Sequence, residues 1–91
     1  MNSLEQILYL IKHYRMGEYR PFDYASQVAN IYYIHNDGSI NGKTKDVLFE
    51  LAQTADRFSD NVDDLALPGS PFNDINKLNE ATERVYKTLF K

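Results

Sequence analysis

Residues 44–58 read TKDVLFELAQTADRF, and their apolar side chains fall in one register. Val47, Leu48, Leu51, Ala52, Ala55 and Phe58 recur at steps of one and three. On a helix turning every ~3.6 residues, that spacing puts them on a single face. A helix with one apolar stripe and a polar back cannot stand alone in water, so it needs neighbours of the same kind. The reading of the fold therefore turns on what flanks this segment.

Upstream, Asn36-Asp37-Gly38 and Asn41-Gly42 form a break, because Asn, Asp and Gly tolerate the backbone angles of tight turns. Before the break, Pro21 opens a segment in the first helical turn, where a missing N–H costs nothing. Phe22, Ala25, Val28, Ala29, Tyr32 and Tyr33 form its stripe. The β-branched and aromatic content of residues 28–34 leaves a strand open as the competing assignment there. Nearer the N-terminus, Leu4, Ile7, Leu8, Ile11 and Tyr14 share one helical face, with Ser3 as expected N-cap, Gln6 completing a capping box and Gly17 as the stop.

Downstream, residues 59–71, SDNVDDLALPGSP, read as a long loop, and a structureless connection of about 12–15 residues in a small domain is often functional. A last helix follows, starting between Pro71 and Asp74, with Ile75, Leu78, Thr82, Val85 and Leu89 on its stripe. Asp74 at its start and Lys87 and Lys91 at its end both suit the helix dipole. The expectation is an all-α four-helix bundle with helices at about 3–16, 21–35, 43–58 and 72–90.

Composition agrees with one helical domain over residues 1–91. The chain has 91 residues, 43% hydrophobic and 25% charged, which is globular rather than disordered. A chain of this size buries roughly 60–65% of its unfolded surface, enough for one core. It contains no Cys, which removes disulfides, thiolate metal sites and cysteine nucleophiles together. No run approaches the ~18 apolar residues of a membrane span, and MNSLEQ does not open like a signal peptide. A cytoplasmic protein without membrane contact is expected.

Catalytic signatures are missing: there is no nucleophile elbow, phosphate loop or HExxH. His13 and His35 have no carboxylate pair at a fixed spacing, and the reading is of a non-enzyme without cofactor or metal. Asp37-x-Ser39-x-Asn41-Gly42 matches the first half of a calcium loop, but Lys43, Lys45 and Leu48 stand where ligands belong. It reads as a turn. Six of the seven tyrosines lie in residues 1–33, and Tyr9, Tyr14, Tyr19 and Tyr24 are spaced by five, which defines no single helical face.

The formal charge of −3 conceals an asymmetry. Residues 1–45 carry five basic and four acidic side chains, whereas in residues 46–64 six acids face only Arg57. Asp56, Asp60, Asp63 and Asp64 span the end of the third helix and the loop after it. Carboxylates near a helix C-terminus meet the negative end of its dipole, which points to a demand other than helix stability. Two readings stand: a solvated loop, or a surface complementary to a strongly basic partner. A direct nucleic-acid contact through Lys12, Arg15 and Arg20 is disfavoured by the net charge and the lack of a basic stripe.

Three stretches resemble the colicin D immunity proteins and related immunity proteins of bacterial toxin systems, contact-dependent inhibition included. They are Leu10-Ile11…Tyr14-x-x-Gly17-x-Tyr19…Asp23-Tyr24-Ala25, then Leu51-Ala52…Ala55-Asp56-Arg57-Phe58 with an acidic loop after it, and the closing helix from Asp74 to Leu89. The resemblance implies a four-helix bundle that binds the nuclease domain of its cognate toxin, a tRNA nuclease in the colicin D case, and fills the site of the tRNA phosphates with acidic side chains. Asp56 matches an acidic position of that family, and Asp60 and Asp63 fall in its acidic loop. Ser59 and Asn61 depart from it, standing where acids are expected, and residues 65–72, LALPGSPF, are more apolar.

On this reading the toxin-binding residues are Asp56, Asp60, Asp63 and Asp64, with Glu50 earlier on a nearby face. Phe58 either caps the core or anchors the interface, and Leu65 and Leu67 supply apolar contact. The protein is expected to act as a monomer. The rival is a small helical adaptor or regulatory protein without a toxin partner.

Overall fold

The computed structural model describes residues 1–70 and 72–90. Five helices follow in order: α1 (Ser3–Arg15), α2 (Pro21–Tyr33), α3 (Gly42–Asp56), α4 (Val62–Ala66) and α5 (Ile75–Leu89). Among the described residues no strand forms, and the helical register of residues 28–33 continues to the end of α2. The connection expected to be structureless contains α4. Pro71 and Lys91, placed by the sequence at the ends of the last helix, lie outside the described residues.

Local chemistry accounts for the helix ends. At α1, Asn2 is the N-cap in place of Ser3: its Oδ1 accepts from the Glu5 amide at 2.8 Å, and Glu5 reaches back to the Asn2 amide. Ser3 is not free to cap, because its hydroxyl donates to the His35 carbonyl at 2.8 Å and accepts from the Asp37 amide at 3.0 Å. Gly17 takes a φ of 81° just beyond α1, which a side chain would resist. Asp74 caps α5 by accepting from the Lys77 amide at 3.1 Å. Helix α3 stops at Asp56 instead of Phe58, since the chain there turns to pair with Asn73. The Asn73 amide donates to the Arg57 carbonyl at 2.8 Å, and the Ser59 amide to the Asn73 carbonyl at 3.0 Å.

Helix α2 packs against α1, α3 and α5; α5 also touches α1 and α3. Their stripes meet in one core that includes Ile7, Ile11, Val28, Leu48, Leu51, Leu78 and Val85. Each such side chain contributes about 1.5–3 kcal/mol by leaving water. Four core members came from outside the expected stripes: Leu10, Tyr24, Ile40 and Ala81. Ile40 is buried from within the 36–41 turn, and Tyr24 is wholly buried at the edge of the α2 stripe, one helical turn before Val28.

Tyr24 is buried because its polar end is satisfied. The Thr82 hydroxyl donates to the Leu78 carbonyl at 2.9 Å, leaving its lone pair for the Tyr24 hydroxyl at 2.9 Å. Burial pushes that phenol well above its ordinary pKa. The Tyr14 ring stacks on Tyr24 with centroids 4.0 Å apart, and its hydroxyl donates to Asn79. Arg15 pairs with Glu83 at 2.7 Å and lies over the Tyr86 ring at 3.6 Å, closing the α1–α5 seam.

Candidate functional site

Phe22 and Ile75, both assigned to apolar stripes, are exposed instead, at 52% and 44%. Each sits in the first turn of its helix, where the stripe overhangs the core rather than facing it. They belong to a cleft of about 600 Å³ formed where the starts of α2 and α5 meet the chain leaving α3. Phe58, Leu65 and Pro21 complete its apolar lining, and Ser59 joins them. Arg20, Asp23, Asp60 and Asp74 are its charged members.

The path from α3 to α5 is held by its own polar side chains. Ser59 is buried: its hydroxyl donates to Asp64 at 3.1 Å and accepts from the Asn61 amide at 3.1 Å. Asn61 caps α4 by accepting from the Asp63 amide at 2.8 Å. The Ser70 hydroxyl donates to the Asp64 carbonyl at 2.7 Å, and Asn73 donates from its side chain to the Thr54 carbonyl. The two residues that break the acidic pattern of the resembling family, Ser59 and Asn61, thus have structural work here: one ties the loop down, the other starts α4.

The expected site residues separate into groups. Phe58, Asp60 and Leu65 line the cleft, with Phe58 only 8% exposed and packed in the core. Asp56 and Asp63 are exposed and lie outside the cleft lining, and neither carboxylate has a partner among the described residues. Asp64 is half-buried and engaged by Ser59. Leu67 is 53% exposed. Glu50 is elsewhere: it pairs with Arg84 in a groove between α3 and α5, whose lining also includes Asp46 and Lys87.

Sequence reasoning missed Arg20, Phe22, Asp23, Asp74 and Ile75 as neighbours of Asp60. The signal available was slight: a basic residue and two apolar ones at helix starts, where burial is least certain. A second surface also escaped it. Tyr33 and Phe49 are exposed beside buried Tyr32, whose ring centroid lies 5.0 Å from Tyr33 and 6.4 Å from Phe49. Partial burial raises the Tyr33 phenol pKa, with Asp56 adding to the rise and Arg57 opposing it.

Among the described residues, no three His, Asp or Glu side chains are grouped to hold a metal ion. No described helix is long and apolar enough to cross a membrane. A scan of protein-family models and searches of curated proteins and solved structures give no match to this chain.

Proposed function

We propose that this chain is an immunity protein that binds a cognate bacterial nuclease toxin, a tRNase in the simplest case, and occludes its basic substrate cleft. On this reading the four long helices act as a four-helix bundle in the cytoplasm of the producing cell, as a monomer, with α4 part of the binding edge. The observation that carries the proposal is the set of exposed carboxylates at the end of α3 and after it. Asp56, Asp60 and Asp63 make no side-chain ion pair among the described residues, and the fold adds Asp23 and Asp74 beside Asp60. Asp23, Asp63 and Asp74 stand at helix starts, where the dipole favours them, but helix stability does not ask for Asp56 or Asp60. A site shaped to hold phosphates would attract the whole set.

Inhibition of a nuclease demands tight binding, and a nanomolar complex corresponds to about −12 kcal/mol. Exposed ion pairs at about 0.2–1 kcal/mol each do not reach that value. Exposed Phe22, Leu67 and Ile75 offer the apolar contact that the carboxylates need.

The direct test is charge reversal. Replacing Asp60 and Asp63 together by Lys is expected to leave helical content and Tm near wild type, and to weaken toxin binding at least tenfold. Unchanged affinity in the double variant would refute the assigned surface. Survival of cells coexpressing the C-terminal domain of a toxin encoded immediately upstream, with and without this protein, tests the function itself. Equal death in both arms favours the adaptor reading.

A further inference from the structure

The cleft at the starts of α2 and α5 has the size of a ligand site but the walls of a protein interface. Its volume of about 600 Å³ falls within the ~300–1,000 Å³ that small molecules or a few side chains occupy. Phe58 and Leu65 supply apolar surface, and Phe22 and Ile75 remain open to solvent on it. Around that surface stand three carboxylates, Asp23, Asp60 and Asp74, against one guanidinium, Arg20. Asp23 and Asp60 have no hydrogen-bond or ion-pair partner among the described residues, while one oxygen of Asp74 is engaged by the Lys77 amide.

An anion is the occupant that helix starts ordinarily favour, and here the residues oppose it. Pro21 removes an N–H from the start of α2, and Asp74 already covers the start of α5. An incoming phosphate or carboxylate would meet three like charges with a single cation in compensation. A cation with an apolar neighbour satisfies both halves of the lining at once. Arginine suits it better than lysine, since its planar fork can serve two carboxylates and its face can lie on an aromatic ring such as Phe22.

We infer that this cleft receives an arginine side chain together with an adjacent bulky apolar side chain from the partner protein, anchoring the complex beside the exposed acids of α3 and α4. The inference rests on the reading of the chain as the inhibitor of a basic protein, and names what that protein inserts. It also locates the strongest contacts in the cleft, because a desolvated charge pair beside buried apolar area contributes more than rim charges do.

The probe is N-acetyl-leucyl-arginine amide, titrated into the folded protein while backbone amide shifts are followed by NMR. Saturable shifts at Phe22, Asp60, Leu65 and Ile75 are expected, with at least fivefold weaker binding to a variant carrying Asp23→Asn and Asp60→Asn. The Phe22→Ala variant, checked for unchanged helical content, is expected to weaken binding as well. Absence of saturable shifts, equal shifts at the Asp46–Lys87 groove, or equal binding of N-acetyl-leucyl-glutamate amide or inorganic phosphate would overturn the inference. The coexpression assay reports separately on the underlying function. Protection by the wild-type protein with no dipeptide binding removes the cleft alone, and dipeptide binding without protection removes the immunity reading alone.

Discussion

Two loops of this protein are written in nearly the same letters and behave in opposite ways. Residues 36–41, NDGSIN, and residues 59–64, SDNVDD, both combine Asp, Asn and Ser around one β-branched residue. In the first, the carboxylate is tied down. Asp37 Oδ1 accepts from the Ser39 amide at 3.0 Å and the Ser39 hydroxyl at 2.6 Å, and Oδ2 accepts from the Ser3 amide at 3.3 Å. Those donors, Ser39 above all, hold the Asp37 carboxyl down at about 2. In the second loop, Ser59 and Asn61 serve the backbone and Asp64, while Asp60 and Asp63 face solvent. The difference lies in what is packed alongside. The start of α1 lies against the first loop and lends it Ser3, so acids there are structural. The second stretch, which runs into α4, is held by Ser59, Asn61 and the pairing of Ser59 with Asn73, none of which uses the Asp60 or Asp63 carboxylate.

The comparison predicts the largest loss at Ser3. Ser3→Ala removes a buried hydroxyl that serves the His35 carbonyl and the Asp37 amide, and is expected to cost about 2 kcal/mol. That corresponds to a Tm lower by roughly 8–15 °C for a domain of this size, measured by circular dichroism. Ser59→Ala should cost less, about 1 kcal/mol, because its bonds to Asn61 and Asp64 are local, whereas Ser3 joins the start of α1 to a turn more than 30 residues away. Equal losses would erase the distinction between the loops.

Acid offers a finer test, and the effect is smaller because the Asp37 carboxylate is exposed to solvent. Its folded pKa lies below the unfolded value of 3.8. Its contribution is therefore fully present above about pH 4 and is lost as pH falls toward about 2. The stability difference between the wild type and Asp37→Asn, from urea melts, should be constant from neutrality to about pH 5 and shrink between about pH 4 and 2. A difference that persists unchanged at about pH 2 contradicts the tie. The smallest effect belongs to the second loop. Asp60→Asn and Asp63→Asn should each change stability by no more than about 0.5 kcal/mol, whereas a larger loss would mean that these acids hold the fold.

Much of the helical layout was legible in advance. The stripe of α3 is buried at Leu48, Leu51, Ala52, Ala55 and Phe58, and that of α5 at Leu78, Thr82 and Val85. Periodicity works there because mid-helix positions face the same neighbour turn after turn. It fails at the ends. Phe22, Tyr33 and Ile75 obey the period yet are exposed, since a terminal turn projects past the helix it would pack on. Tyr24 stands outside the expected stripe although it lies one helical turn before Val28, and Thr82 answers its hydroxyl in the core.

Legibility of the site was more limited. Counting charge along the chain located Asp56, Asp60 and Asp63 as an excess, but could not separate them from Asp64, half-buried and bound by Ser59, or from Glu50, paired with Arg84 on another face. Neither could it find the cleft, whose lining comes from three separate parts of the chain.

What the sequence by itself determined is the inventory: four long helices with their buried faces, a break at 36–42, and an excess of acid over base after residue 45. These are consequences of local spacing and count, which a helix converts directly into a face. The tertiary structure decided that Asn2 caps α1 while Ser3 bridges to the 35–37 turn. It also decided that Asp37 is held while Asp60 has no partner among the described residues, and that Asp23 and Ile75 stand beside Asp60. Those outcomes depend on groups far apart in the chain reaching one another, and hydrogen-bond geometry and packing settle that only when the helices have met.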